Sequence, residues 1–386
     1  MRLSPYVACL AAFVVLVGTD PGAVTSAYLG RESDGAQAQL WAQWWLLERA
    51  LGGVPPALGF PWGVDVVGLL GHNLGAPALA LPFRLLLPQP LAQNVFVLVG
   101  LAANVYGFRA LGLAAGASST AAWIVAIPMA FNPTALGAFV DGQPEAGIRV
   151  FFLLGVAQFL RAEPGWRPAA VGAAWMLLAA LVSWRAGVYG LAACAAAALL
   201  GKAEFRRARL RLVGLALPVL LLAPGLLRPG ELPWALDAAT WSPWAWPGDA
   251  GSSATGLTSL QVGSRTSGEW LVGKLGDLGF SGRRKEIMLV ELMLLAAGYV
   301  FSSGDRLRTA LSLAGFALLV ASGPVFLGLP NAPWIAAAKA LPLLREPLAP
   351  VDAMVCFHAG VAVVGVAAWD ALARLWRTRL VAAVGV

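Results

Sequence analysis

The chain has 386 residues, of which 59% are hydrophobic and only 12% are charged. A soluble domain carries about a quarter of its residues as charges, so this composition excludes an ordinary soluble enzyme and predicts an all-α integral membrane protein. The formal net charge of +7 does not indicate nucleic-acid binding, because the basic residues are spread over short loops between apolar segments.

Apolar runs recur along the whole chain at about the 20-residue length that a helix needs to cross a bilayer. They predict about ten transmembrane helices, at 4–21, 92–110, 117–133, 146–161, 168–184, 187–201, 209–228, 286–302, 307–323 and 353–373. The first run also fits a secretory signal. We interpret it as a retained span, because the polar loop that follows carries the strongest motif of the chain.

The loop at 22–91 contains two stretches that the sequence predicts to be interfacial or re-entrant helices. One is a Trp-rich amphipathic stretch at 37–51, and the other is an apolar stretch at 66–90 that is broken by proline and glycine. For 66–90 an eleventh span is the alternative interpretation. A further re-entrant stretch is expected at 330–344 in the last outer loop.

The predicted spans and loops divide the chain into three regions. They are an N-terminal transmembrane module at 1–228, an outer loop region at 229–285 and a C-terminal transmembrane module at 286–386. Cys9, Cys194 and Cys356 each lie inside a predicted span and have no close Cys or His neighbour in sequence, so we expect reduced thiols and no zinc site.

Lysine and arginine residues are concentrated in alternate loops. Fourteen of the 27 cations, but only four of the 20 acids, belong to the termini and to the loops at 109–116, 162–167, 202–208 and 303–306. Cytoplasmic loops of membrane proteins carry such an excess of cations. This side, with both termini, is therefore predicted to be cytoplasmic, and the large polar loops, where we expect any chemistry, face outward.

The first candidate site lies just after the first predicted span. Glu32 and Asp34 precede an aromatic stripe that includes Trp44. A carboxylate at the membrane surface can accept a proton from a hydroxyl nucleophile, and desolvation there raises its pKa toward a working pH. The alternative is an ordinary interfacial Trp belt beside a solvated polar loop.

Three further constellations are predicted at the outer face. Asp141 and Glu145 precede Arg149, which is expected near the outer surface, where a snorkelling arginine without a function is the alternative. Arg185 lies in a tight predicted turn, and Arg345 follows the re-entrant stretch. Either arginine suits a phosphate oxygen, although Glu346 could neutralise Arg345 in a surface pair.

The two histidines do not form a metal pair in the sequence. His72 belongs to the first outer loop, whereas His358 lies inside the last predicted span, where a packed histidine is a more common arrangement than a ligand.

The order of these elements resembles the GT-C superfamily of polytopic glycosyltransferases, and in particular a broad bacterial branch of membrane enzymes. The resembling segments are degenerate, but they occur in the expected order over most of the chain. They are Asp34 with Gln39, Trp41 and Trp44–Trp45, Phe60–Val64, Asn73, Asn94, Gly107–Arg109, Phe131–Pro133, Ser183–Gly187 and Pro342–Pro347.

The resemblance implies transfer of a sugar from a polyprenyl-phosphate donor to an envelope acceptor at the outer face of a bacterial cytoplasmic membrane. It implies that Asp34 is the general base, with Glu32 as the second choice. The implied substrate-binding residues are Trp44, Asn73, Asp141, Glu145, Arg149, Arg185 and Arg345. No cofactor is assigned with certainty, and a divalent metal stays open because members of the superfamily differ in this requirement.

The sequence departs from the branch in three places. Residues 141–145 replace a Gly-His element, Arg185 replaces a more common aromatic residue, and no large soluble domain is expected after the last predicted span.

Two other functions stay open: a transporter or flippase for a lipid-linked or amphiphilic solute, and a catalytically inactive scaffold. A transporter is expected to place polar groups near the bilayer midplane, and the sequence pattern does not indicate this.

Overall fold

The computed structural model describes residues 25, 28, 39–44, 46–47, 75–140, 144–227, 289–302, 304–322, 325–326, 329–330 and 353–384. Within these ranges the chain is helical, apart from short connections and one antiparallel pair of two-residue strands. The helices, in chain order, are α1 (Gly75–Leu86), α2 (Leu91–Ala114), α3 (Ser119–Ala130), α4 (Pro133–Val140), α5 (Pro144–Gly147), α6 (Val150–Arg161), α7 (Trp166–Val182), α8 (Trp184–Leu200), α9 (Ala203–Leu227), α10 (Leu289–Phe301), α11 (Gly304–Ser322) and α12 (Met354–Val384). The strands are β1 (Val325–Phe326) and β2 (Leu329–Pro330).

The C-terminal helix α12 is the centre of the bundle. Residues 353–364 are all buried, and α12 packs against α2, α3, α8, α10 and α11. Helices from the predicted N-terminal and C-terminal modules therefore share one apolar core.

Two helices of the described chain are long and apolar enough to cross a membrane, Leu91–Ala114 and Met354–Trp376. Several others are apolar but have 10–17 residues. At 1.5 Å per residue, the 12-residue α6 is about 18 Å long. The described part of the chain is thus a helical bundle with two candidate membrane spans.

The predicted span 146–161 is not one continuous helix, because the chain leaves the helical path between α5 and α6. The cause is the side chain of Asn104 on α2. Its Nδ2 donates to the carbonyl of Gly147 over 2.7 Å, and its Oδ1 accepts the backbone N–H of Arg149 over 2.7 Å. An amide side chain thereby takes the place of main-chain partners within the helix.

Two other helices begin earlier than the sequence predicts. The basic segment at 202–208 is expected to be a loop, but it forms the first turns of α9. Likewise α8 starts at Trp184, so the predicted turn at 183–187 reduces to Ser183. The hydroxyl of Ser183 caps α8 by accepting the backbone N–H of Ala186 over 3.3 Å.

The first outer loop contains helix where interfacial helices are predicted. Residues 39–44 and 46–47 are helical within 37–51, and α1 lies within 66–90. The predicted span 4–21, the loop region 229–285 and most of the re-entrant stretch 330–344 lie outside the described residues.

Candidate functional site

The most unusual feature of the described bundle is a buried arginine between its helices. Arg149 precedes the first residue of α6 and is 3% exposed. One terminal guanidinium nitrogen lies 3.2 Å from Oδ1 of Asn132 and 2.8 Å from Nδ1 of His358. A charged side chain in a helical core requires such polar neighbours, because the free-energy cost of burying an uncompensated charge is large.

His358 links this arginine to a carboxylate. The Nε2 atom of His358 lies 3.2 Å from Oε1 of Glu291 on α10, and both side chains are 0% exposed. A guanidinium has donors and no acceptor, so Nδ1 of His358 must accept the hydrogen bond. In its neutral form the ring then carries its proton on Nε2, which faces Glu291.

Two asparagines hold Arg149 in place. Asn104 fixes the backbone of residues 147–149, as described above. Asn132 caps α4 by accepting the backbone N–H of Ala135 over 2.9 Å, and it also contacts the guanidinium of Arg149. Because Asn132 precedes Pro133, a helix start is expected here from the sequence alone.

This network is buried inside the bundle. Asn104 is near the middle of α2, the 24-residue helix that is long enough to cross a membrane. His358 is twelve residues before Asp370 on α12, which corresponds to about 18 Å, but it is only the fifth residue of α12, and Glu291 is the third residue of α10. Arg149 is therefore not an exposed surface arginine, whereas its distance from the outer membrane surface stays a prediction.

Asp370 belongs to a second polar layer, at the end of the bundle where the cation-rich connections meet. The backbone N–H and hydroxyl of Ser118, which caps α3, donate to the Asp370 carboxylate over 2.9 and 2.7 Å. The hydrogen bonds attach α12 to the connection between α2 and α3.

An ion pair lies in the same layer. Arg209 is 1% exposed and donates to both carboxylate oxygens of Asp305 over 2.9 and 2.5 Å. Its Nε also donates to the carbonyl of Phe159 over 3.1 Å. Partial burial tends to raise the pKa of Asp305, but hydrogen bonds from Arg209 and from the backbone of Lys202, with their positive charges, hold it below its ordinary value. Asp305 is therefore a structural anion that joins α9 to α11.

At the opposite end, hydrogen bonds hold residues on both sides of the predicted acids against the start of α2 and the connection before it. The hydroxyl of Tyr28 donates to Oε1 of Gln89 over 2.5 Å. The buried side chain of Gln43 donates to Oε1 of Gln93 over 2.7 Å. The residues that flank Asp34 in sequence thus contact the N-terminal end of α2 and the connection before it.

The structure describes only part of the predicted site. Glu32, Asp34, Asn73, Asp141 and Arg345 lie outside the described residues, as does the side chain of Arg185, whose backbone is in the first turn of α8. These assignments therefore remain predictions.

The other predicted site residues do not all meet. Glu145 is partly buried in α5, just before the Arg149 network, and Trp44 is partly buried in the helical segment at 39–44. Arg149 belongs to the network described above.

Sequence reasoning did not find Glu291, His358 or Asn104 as members of this site. The available signal was the presence of ionisable residues within predicted apolar spans, which in membrane proteins marks functional positions. For His358 a packed histidine is the expected arrangement, and a local sequence pattern does not show a partner 209 positions away.

Among the described residues, no group of three or more His, Cys, Asp or Glu side chains is placed to hold a metal ion. No family model, curated protein or solved structure matches the chain.

Proposed function

We propose that the chain is an integral membrane glycosyltransferase that moves a sugar from a polyprenyl-phosphate donor to an envelope acceptor. In this proposal about ten helices cross a bacterial cytoplasmic membrane, both termini are cytoplasmic, and transfer takes place at the extracytoplasmic face.

The observation that carries the proposal is the attachment of the first outer loop. Tyr28 binds Gln89 just before α2, and Gln43 binds Gln93 in the first turn of α2. Asp34 lies between Tyr28 and Gln43 in sequence. A loop that is held at both ends can keep a carboxylate at the membrane surface, where a lipid-linked donor presents its sugar. This geometry suits a base that must reach a substrate in the bilayer plane.

The proposed step is an inverting displacement. The acceptor hydroxyl gives its proton to the carboxylate of Asp34 while its oxygen forms a bond to the anomeric carbon of the sugar. The bond from that carbon to the phosphate oxygen breaks, and the polyprenyl phosphate leaves with the electron pair. A cation stabilises the leaving phosphate. Arg185 and Arg345 fit this role better than Arg149, because Arg149 is buried and already contacts Asn132 and His358.

The proposal is tested by turnover of the purified full-length protein in nanodiscs. A panel of radiolabelled polyprenyl-phosphate sugars is offered with total envelope lipid and glycan as acceptors, in Mg²⁺ and in a chelator. We expect label transfer by the wild type and a loss of about 10²–10⁴-fold in Asp34→Asn, since the base is removed.

Glu48→Gln is the control, because it removes an acid from the same outer loop and is expected to keep the transfer rate. If Asp34→Asn keeps full activity while Asp141→Asn abolishes it, the base is misassigned and the enzyme class stands. If folded wild-type protein transfers no sugar from any donor, the proposal is wrong.

The second candidate is a carrier or flippase, and the buried Arg149–His358–Glu291 network favours it. Ionisable residues that are buried in a membrane-spanning helical bundle mark solute and proton paths, and the interruption between α5 and α6 resembles the broken helices of carriers. The measurement is transbilayer movement of a fluorescent lipid-linked sugar in proteoliposomes. A carrier is expected to move the lipid and to lose this movement in Glu291→Gln. An inactive scaffold is expected to show neither sugar transfer nor lipid movement.

A further inference from the structure

One end of the described bundle carries a high density of exposed positive charge. We call it the basic end. Its exposed cations are Arg161, Arg167, Lys202, Arg206, Arg207, Arg306, Arg308 and Arg374, and the exposed acids of the same connections and helix ends are Glu163 and Glu204. Asp305 and Asp370 are there too, but they already bind Arg209 and Ser118. The exposed charge of the basic end is therefore strongly positive.

Within the basic end, one cluster joins the start of α7 to one face of α9. The guanidinium carbon of Arg211 lies 5.7 Å from the ring centroid of Trp166, within the range of a cation–π contact. Arg207 lies one helical turn before Arg211 on α9, and Arg167 follows Trp166 on α7. The cluster thus consists of one cation on the aromatic ring and two exposed cations close to that pair along α7 and α9.

The charges of this cluster are not compensated by acids that the structure describes. Like charges four residues apart on a helix repel each other, which applies to Arg207 and Arg211. Arg209, on the same helix, shows the contrast, because it is buried and paired with Asp305. An anion that binds between Arg207 and Arg211 would remove their repulsion.

The apolar groups beside the cluster indicate the kind of anion. Trp166 is 64% exposed, and the neighbouring helix ends expose Leu199, Leu200 and Leu210. Tryptophan is enriched where the headgroups of a bilayer meet its hydrocarbon, and arginine binds phosphate with paired donors. A phospholipid headgroup satisfies the cations while its acyl chains cover the exposed leucines. A nucleic acid would leave those leucines in water.

We propose that Trp166, Arg167, Arg207 and Arg211 form a binding site for the headgroup of an anionic phospholipid in the leaflet at the basic end. The site is independent of any glycosyl transfer. It holds the α7 and α9 ends at the membrane surface, and its affinity falls with rising salt concentration because the attraction is electrostatic.

The experiment is native mass spectrometry of the full-length protein, titrated with phosphatidylglycerol or with phosphatidylcholine in the same detergent. We expect the wild type to bind the first phosphatidylglycerol more tightly than the first phosphatidylcholine. The double variant Arg207→Gln/Arg211→Gln is expected to weaken the first phosphatidylglycerol site by about fivefold per cation removed.

Arg306→Gln/Arg308→Gln is the matched control, since it removes two exposed cations from α11 at the same end, and it is expected to keep the site. Arg207→Lys/Arg211→Lys is expected to keep most of the preference, and it serves as the folded comparison if the glutamine variant does not fold. An equal affinity of the wild type for both lipids overturns the proposal. An equal loss of phosphatidylglycerol affinity in Arg207→Gln/Arg211→Gln and in Arg306→Gln/Arg308→Gln overturns it too. Inorganic phosphate that competes as tightly as the lipid would assign the cluster to a soluble anion instead.

Discussion

At the scale of single residues, the bundle buries an arginine and a carboxyl side chain on the two sides of one imidazole ring. Arg149 and Glu291 contact the two ring nitrogens of His358, at 2.8 and 3.2 Å. A buried charge is costly unless polar or charged neighbours compensate it. Removal of one of these groups therefore changes the surroundings of the other.

This arrangement predicts strong coupling between Arg149 and Glu291. Arg149→Met and Glu291→Met should each lower the free energy of unfolding by up to about 3–5 kcal/mol, the cost of removing one partner of a buried ion pair in direct contact, because His358 separates the two groups here. The double variant should cost less than the sum of the two, because the remaining His358 is neutral. The measurement is unfolding of the purified protein by a denaturing detergent.

The exposed pair of Lys202 and Glu204, 3.7 Å apart, provides the comparison. The two single variants and the double variant at these positions should change the free energy of unfolding by less than about 1 kcal/mol, because solvent screens exposed charges. If the effects of Arg149→Met and Glu291→Met are strictly additive, the two charges do not compensate each other and our account of the network is wrong.

The sequence predicted Arg149 as a site residue but could not predict its partners. His358 is 209 positions away, and a local pattern contains no information on which helices become neighbours. Helix caps are easier to predict from a sequence, since Ser118, Asn132 and Ser183 each accept a hydrogen bond from a residue three positions later.

At the scale of elements, apolar periodicity located the helices better than it located their ends. Each of the nine predicted spans after the first coincides with a described helix, although 146–161 is interrupted and α9 and α12 extend into charged segments. A tertiary contact holds the early start of α9: the backbone N–H of Lys202, the residue before α9, donates to Asp305 on α11. A hydropathy pattern ends where charge begins, but a paired charge does not end a helix.

Glycine positions determine how closely these helices pack. A Cβ at Gly360 on α12 would lie 2.7 Å from the carbonyl oxygen of Ala310 on α11, which is a backbone atom that cannot turn away. Gly360→Ala should therefore separate α11 from α12 and lower the free energy of unfolding by about 1–3 kcal/mol, as other overpacked cores do. Thermal unfolding in detergent measures the change.

Gly315 on α11 is the matched control, because a Cβ there would meet nothing within 4 Å. Gly315→Ala should be neutral or should stabilise the helix by up to about 1 kcal/mol. A Gly360→Ala protein that is as stable as Gly315→Ala would mean that α11 and α12 are not in close contact.

At the scale of the whole molecule, the bundle has two chemically different ends. The cation-rich connections predicted to lie on one side of the membrane do meet in the structure, where Lys202 and Arg209 bind Asp305 and Ser118 binds Asp370. The first outer loop contacts the other end of α2. The side of the membrane that each end faces remains a prediction from charge.

Two exposed prolines in connections at opposite ends of the bundle allow that prediction to be tested. Pro88 lies between α1 and α2, and Pro164 lies between α6 and α7. In a background without the native cysteines, Pro88→Cys should react with a membrane-impermeant maleimide added to intact cells. Pro164→Cys should react only after permeabilisation, because cation-rich connections stay in the cytoplasm.

The two cysteine variants, Pro88→Cys and Pro164→Cys, also distinguish a protein with ten membrane spans from one with eleven. If 66–90 crosses the membrane and the N-terminus stays cytoplasmic, every connection after residue 90 changes sides, so Pro164→Cys reacts in intact cells and Pro88→Cys does not. That result would leave Tyr28 and Gln43 outside while Gln89 and Gln93 lie at the cytoplasmic side, so the hydrogen bonds that attach the first outer loop could not form and the proposal that rests on them would be wrong. It would also move the basic end, with Trp166 and Arg211, to the outer leaflet. Labelling of both variants from one side would show that the two ends of the bundle do not face opposite sides of the membrane.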